Sequence, residues 1–213
     1  MAPFDETNLL ERLRKGDEAA FAEFVDHYGP KLRRLARSYV PDSLADEVVQ
    51  EAWLGFLGSL DRFEGRSSLK TWLYRILMNT ATKRRAREAR SVPFSSLGAD
   101  GADGDHVDND RFLPPNHPRW PGHWASPPRS WEGIPESTLL SQEVLDVIEK
   151  ALAGLPRAQR GTLILRDVEG LGAKDVCNLL GVSGTNQRVL LHRARSAVRA
   201  ALEAYFKDDD ESG

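Results

Sequence analysis

Eight of the chain's twelve prolines and five of its seventeen glycines fall between residues 91 and 135. Proline fixes its own φ and removes a backbone donor, so neither a long helix nor a central strand runs through such a stretch. The chain therefore reads as two bodies joined by a linker. On both sides of it apolar residues recur at three-and-four spacing, the period of an amphipathic helix, and no segment reads as a strand. The expected class is all-α: a helical domain over 1–90, a linker over 91–135 rich in Pro, Trp and Asp, a second helical domain over 136–206, and an acidic tail over 207–213.

Several classes are excluded early. With 40% hydrophobic and 29% charged residues the composition is that of a globular protein. No apolar run approaches the ~20 residues that span a bilayer, so membrane insertion is not expected. The opening MAPFDETNLLERLRKG carries acids early and no apolar core, so it does not read as a secretory signal. One cysteine, Cys177, excludes an internal disulfide and a Cys-based zinc cluster. A cytoplasmic location follows. His106, His117 and His123 are irregularly spaced and fall short of the roughly four ligands of a zinc site, so no metal or other cofactor is expected. No paired carboxylates, nucleophile motif or phosphate loop support catalysis, so no catalytic residue is assigned and the chain is not read as an enzyme.

In the first block, residues 5–15 place Leu9, Leu10 and Leu13 on one side and stop at Gly16. Asp17 is an N-cap for a helix carrying Ala20, Phe21, Phe24, Val25 and Tyr28. Gly29-Pro30 is expected to break or kink it, with Leu32, Leu35, Ala36 and Tyr39 on a following helix. Asp42 or Ser43 caps DSLADEVVQEAWLGFLGSLDRF, where Asp46, Glu47, Gln50 and Glu51 form an acidic patch. The stretch FEGRSSLKTWLYRILMNTATKRRAREAR follows, with Ser67 or Ser68 as cap and a stripe of Leu69, Trp72, Leu73, Ile76, Leu77 and Thr80. Seven cations stand between Lys70 and Arg90 against Glu88 alone, in a chain whose formal net charge is −3. One or two suit the negative end of a helix dipole. Five between Lys83 and Arg90 exceed that role and point to a phosphate backbone.

The linker holds Asp100, Asp103, Asp105, Asp108 and Asp110, then Trp120, Trp124 and Trp131 among prolines. Helices resume over 137–153 and 157–168. The next segment, LGAKDVCNLLGVSGTNQRVLLHRARSAVRAAL, reads as a helix-turn-helix. Ala173, Val176, Cys177 and Leu180 face inward, Gly181 supplies a left-handed turn residue, and Ser183 caps the second helix. Val189, Leu190 or Leu191, Ala194, Ala197 and Val198 are expected on its buried side. Such a helix enters the major groove N-terminus first, presenting Gly184, Thr185, Asn186, Gln187 and Arg188. Asn and Gln suit adenine and Arg suits guanine. His192, Arg193, Arg195 and Arg199 add donors for phosphates.

This order of parts resembles the extracytoplasmic-function (ECF, group IV) sigma factors of the sigma-70 family, the promoter-specificity subunits of bacterial RNA polymerase. The resemblance rests on GDEAAFAEFVDHYGPKLRRLA, ADEVVQEAWLGFLGSLDRFEGRSSLKTWLYRILMN, LPRAQRGTLILRDVEGLGAKDVCNLLGVS and LLHRARSAVRAAL. It implies that 1–90 is sigma region 2 and 136–206 sigma region 4, with core RNA polymerase and promoter DNA as partners and an anti-sigma factor of unknown identity. It implies polymerase binding through Asp46, Gln50 and Glu51, with Trp53 and Leu54 near them or packed beneath. It implies −10 DNA contacts from Phe63, Glu64, Gly65, Arg66, Ser67 and Ser68, a loop that captures a flipped base, and from Asn79, Lys83, Arg84 and Arg87. It implies −35 contacts from Gly184, Thr185, Asn186, Gln187, Arg188, His192, Arg193 and Arg195. Glu64 and Arg66 reverse the family's usual basic-Gly-acid order, Asn186 and Gln187 replace a Thr-Val pair, and Leu190 replaces an Arg, which implies altered base preferences. The rival reading is a stand-alone helix-turn-helix regulator, which would need neither the FEGRSS loop nor the DEVVQE patch.

Overall fold

The fold is that of a computed structural model, described over residues 6–91 and 141–210. The linker aspartates and tryptophans, with His106, His117 and His123, lie outside the described residues. All regular structure among the described residues is helical: α1 (Glu6–Arg14), α2 (Glu18–Ala36), α3 (Asp42–Leu57), a 3-10 turn (Leu60–Arg62), α4 (Leu69–Ser91), α5 (Gln142–Gly154), α6 (Arg157–Leu163), a π turn (Ile164–Val168), α7 (Ala173–Leu180) and α8 (Gly184–Asp210). They form two compact units. One draws its described residues from Met1–Ala102 and Gly161–Gln187, the other from Asp103–Arg160 and Arg188–Gly213.

The first unit is built around α4. Leu69, Leu73, Tyr74, Leu77, Met78 and Ala81 are buried, with Trp72 and Ile76 half-buried beside them. Ser68 caps the helix, its Oγ accepting from the Thr71 N–H at 3.0 Å. The longest packing runs between α3 and α4, where Val48, Ala52 and Phe56 face the stripe. Asp17 caps α2, accepting from the Ala20 N–H at 3.0 Å and pairing with Arg12 at 2.7 Å; the Arg12 hydrogen bond leads the causes that hold its carboxyl below the usual range.

Helix α2 does not break at Gly29-Pro30 but runs unbroken to Ala36. A proline inside a helix costs about 3 kcal/mol. Tyr28, Leu32, Leu35 and Ala36 are all buried on the helix side that also carries Phe24. Burying one large apolar side chain is worth about 1.5–3 kcal/mol, so this set outweighs the lost hydrogen bond.

Ile164, Leu165, Leu171 and Val176 belong to the same core as α1–α4. With them comes Glu169, whose side chain is 2% exposed. Lys70 meets it twice: its Nζ donates to the Glu169 backbone carbonyl and lies 3.7 Å from the carboxylate. Burial, and then the charge of Glu169, pushes the Tyr74 hydroxyl pKa upward. Burial pushes Tyr28 up to about 12, with smaller contributions from Glu6 and Glu169. His27 is held below its ordinary value of 6.5 by desolvation and then by Lys31 and Lys70. Among the described residues of this unit Glu169 is the buried carboxylate, and Lys70 pairs with it.

In the second unit Ser141 caps α5, accepting from the Val144 N–H at 3.3 Å. Arg160 donates to the carbonyls of Ala153 and Leu155, closing the turn after α5. The Tyr205 hydroxyl donates to Glu143 at 2.8 Å, tying the far part of α8 to α5.

Gly161 of α6 is buried, and a methyl group placed there would overlap the Tyr39 hydroxyl. Gly161→Ala is therefore expected to destabilise the fold by about 1–3 kcal/mol through overpacking. Tyr39→Phe in the same chain should recover part of that loss, measured by urea unfolding of the single and double variants.

Candidate nucleic-acid interface

The loop between the 3-10 turn and α4 carries Phe63, Glu64, Gly65, Arg66, Ser67 and Ser68. Glu64, Gly65, Arg66 and Ser68 are exposed and Phe63 and Ser67 half-buried. Gly65 has φ +70°, a conformation that L side chains adopt only with strain. Glu64 and Arg66 pair across it. The Phe63 ring lies 4.7 Å from Trp72, Trp72 lies 5.1 Å from Phe56, and Phe56 stacks on Phe24 at 5.2 Å. Phe63 is thus the outer end of an aromatic run that begins in the core. Trp72, within the stripe, belongs to that run.

Two residues of α1, outside the sequence-derived set, hold the two ends of this loop, one at Phe63 and one at the first residue of α4. Arg14 of α1 donates from its guanidinium to the carbonyls of Leu60 and Phe63, and Glu6 of α1 accepts from the Leu69 N–H. No local spacing pairs residue 14 with 63, so the sequence held no signal for these contacts.

The basic face of α4 is smaller than the sequence count. Arg75, Lys83, Arg85 and Arg87 are exposed, as is Asn79. Lys70 is committed to Glu169. Arg84 is 20% exposed and forks onto Glu47 with two 2.7 Å bonds, with Glu51 at 3.5 Å and Glu88 at 3.4 Å. Arg84 therefore ties α4 to α3 instead of standing free for a phosphate. Bidentate guanidinium–carboxylate geometry is the strong form of such a pair.

On α3, Asp46, Gln50 and Leu54 stand one turn apart on one exposed line, with Glu47 and Glu51 beside them. Leu54 is 71% exposed, an apolar side chain left in water beside carboxylates. Arg33 holds Asp46 at 2.6 Å. Trp53 points the other way, buried against Phe21, Phe24 and Phe56. It lies beneath the patch and is not part of its surface.

The helix-turn-helix forms as the sequence indicates. Gly181 is left-handed at φ 66°, ψ 32°, and Ser183 Oγ accepts from the Asn186 N–H at 3.2 Å. In α7 Val176 is buried, Cys177 and Leu180 are half-buried and Ala173 is exposed. In α8 Gly184, Thr185, Asn186, Arg188 and Arg195 are exposed, and His192 and Arg193 half-buried. Three positions differ from expectation, the exposed Ala173 among them. Val189 is exposed, with both Leu190 and Leu191 buried. Gln187 is 2% exposed and does not share the exposed side of the helix, and its Nε2 finds no hydrogen-bond partner among the described residues. Its spacing to Leu190, Leu191 and Ala194 is that of the buried stripe; only its polar side chain suggested otherwise.

Known proteins match this arrangement along nearly the whole chain. Sigma-70 region 2 matches residues 24–91 and Sigma-70 region 4 matches 145–198. The ECF RNA polymerase sigma-E factor of Escherichia coli K12 is 30% identical over 190 residues, covering 89% of this chain and 90% of that protein. The RNA polymerase sigma-H factor of Pseudomonas aeruginosa is 30% identical over 204 residues, covering 94% and 95%. This chain belongs to the ECF sigma-70 family. It is a promoter-specificity factor, and the stand-alone regulator is not favoured. Two solved structures share the fold of this sigma factor: CnrH in complex with the cytosolic domain of CnrY (TM-score 0.54, 21% identity, 93% of this chain and 97% of that one), and RpoE of Bartonella quintana in complex with the anti-sigma factor NepR (0.52, 24%, 86% and 96%).

The burial of Gln187 and the exposure of Asn186 separate two effects. Gln187→Val should raise the unfolding free energy by about 1 kcal/mol, because it removes an unpaired buried donor. It should leave duplex affinity as it is, whereas Asn186→Ala weakens binding without moving the melting temperature. Thermal unfolding and fluorescence anisotropy on one promoter duplex check both. On α4, Lys83→Ala and Arg87→Ala should each lower the slope of log affinity against log salt by about one unit, while Lys70→Ala lowers the melting temperature by stranding Glu169 and leaves the slope of the folded protein unchanged.

Proposed function

We propose that this sigma factor works through three surfaces: the α3 patch on core RNA polymerase, the Phe63–Ser68 loop with the basic face of α4 on the −10 element, and the start of α8 on the −35 element. In that division residues 1–90 serve polymerase and −10 binding, 91–135 connect, and 136–206 serve −35 binding. The observation that carries the reading is Leu54, exposed to 71% among Asp46, Gln50 and Glu51. An exposed apolar side chain one turn from Gln50 and Glu51, with Asp46 a turn further along, fits a partner helix that offers an apolar position with basic ones to one side. The exposed loop with its glycine and small neighbours suits capture of a base unstacked from melted DNA, which costs a few kcal/mol. Exposed Thr185, Asn186 and Arg188 suit readout in the major groove, with Arg193 and Arg195 on phosphates.

In this reading the protein binds and positions and performs no chemistry, and it needs no cofactor. No helix among the described residues is long and apolar enough to cross a membrane, which fits action beside the polymerase in the cytoplasm. The anti-sigma complex of the Bartonella relative supports an anti-sigma protein as a further partner.

The test is transcription in vitro with sigma-free bacterial core polymerase and a library of genomic promoter fragments. Wild type should give specific starts downstream of paired −35 and −10 elements. Leu54→Asp, and the triple alanine variant at Asp46, Gln50 and Glu51, should lose core binding and transcription while keeping the wild-type melting temperature. Failure of wild type to bind core polymerase, with duplex binding by the protein alone, would overturn the reading.

A further inference from the structure

Helix α1 lies before residue 24, where the region 2 match begins. Its apolar side is ordinary: Leu9 and Leu13 are buried in the first unit's core and Leu10 packs against it. Its polar contacts are not. At its C-terminal end Arg14 donates from Nε and Nη2 to the Leu60 carbonyl, both at 3.2 Å, and from Nη2 to the Phe63 carbonyl at 2.7 Å. At its N-terminal end the Glu6 carboxylate accepts from the Leu69 N–H at 3.3 Å. Leu60 and Phe63 bring the chain into the exposed loop; Leu69 takes it out.

The two ends of one rigid helix thus hold the two ends of one loop. Glu6 and Arg14 are eight residues apart, about 12 Å along a helix, and lie close to one line with Leu10 between them. Each contact satisfies a group that local structure leaves over. The Leu69 N–H belongs to the first turn of α4, where helical geometry supplies no acceptor, and the positive end of that helix favours a carboxylate. The Phe63 carbonyl lies beyond the 3-10 turn. Between those ends the Glu64–Arg66 pair spans Gly65, and among the described residues nothing packs within 4 Å of where a Gly65 Cβ would be.

We infer that α1 is a brace for the Phe63–Ser68 loop, with Arg14 and Glu6 as positioning residues that set the geometry in which the loop takes a base. This rests on the reading of that loop as the −10 contact. Fixing both ends before DNA arrives removes ordering entropy from the capture step. The loop's selectivity among bases then depends on residues that touch no DNA.

The experiment uses the full chain as Arg14→Ala, Arg14→Lys and Glu6→Ala. Amide hydrogen exchange reads the loop directly. Residues 64–68 should exchange faster in Arg14→Ala, and the Leu69 amide faster in Glu6→Ala, with Leu73–Leu77 as protected as in wild type. With core polymerase, permanganate reactivity of unpaired thymines should fall about tenfold in Arg14→Ala, as for loss of a charge-assisted contact. Discrimination among −10 base substitutions should flatten as well. Core affinity and −35 duplex affinity should stay within about twofold of wild type. Arg14→Lys keeps the charge without the fork and should behave like Arg14→Ala. Wild-type exchange in the loop, or full melting by Arg14→Lys, would overturn the brace; the latter would make Arg14 a simple cationic contact. Wild type that melts no promoter with core would sink the −10 reading, and the exchange data would still decide whether α1 holds the loop.

Discussion

Leu69, Leu73, Leu77 and Ala81 line one side of α4, none more than 2% exposed. Helices α1, α2 and α3, and the segment carrying Ile164, Leu165, Leu171 and Val176, contribute to the core that contains them. That burial fixes the azimuth of α4 and so decides what its other sides present. Arg75, Lys83, Arg85 and Arg87 stand outward because the apolar stripe stands inward. The entry to α4 fixes where the preceding loop ends. Both halves of the proposed −10 contact thus follow from one packing constraint.

Among the described residues, the same core admits one carboxylate. An unpaired buried Glu169 would cost several kcal/mol, and Lys70 offsets that cost by meeting both its carbonyl and its carboxylate. The pair removes Lys70 from the basic face. Arg84 is removed in the same way by Glu47, Glu51 and Glu88. Charge on this helix therefore divides into cations that organise the protein and cations that stay exposed, and only three-dimensional neighbours separate the two.

Much of this was legible in the sequence. The three-and-four stripe of α4, the Asp17, Ser68 and Ser183 caps and the left-handed Gly181 are local signals with local causes, and each takes the form the sequence implies. At Pro30 the expected alternative of a break does not occur, because a local penalty was outweighed by burial of Leu32 and Leu35, which only tertiary packing rewards. Gln187 was misleading because its side chain says surface while its spacing says core. The roles of Lys70, Arg84, Arg14 and Glu6 were illegible because their partners lie from 4 to 99 residues away in sequence, and most lie far beyond the reach of any periodicity. Of the polymerase patch, the sequence and the family resemblance supplied the residues, and burial separated Leu54 from Trp53.

The ties from α1 to the loop also bear on how such proteins can be recombined. A graft that starts at residue 24, where the region 2 match begins, would carry the loop and α4 into a new host but leave Glu6 and Arg14 behind. The host would have to supply its own anchors for the Phe63 carbonyl and the Leu69 amide. The smallest segment that moves with its geometry intact begins at Glu6. Modularity here is set by hydrogen bonds to the backbone, and its boundary lies one helix and the opening turns of the next upstream of the one that sequence similarity draws.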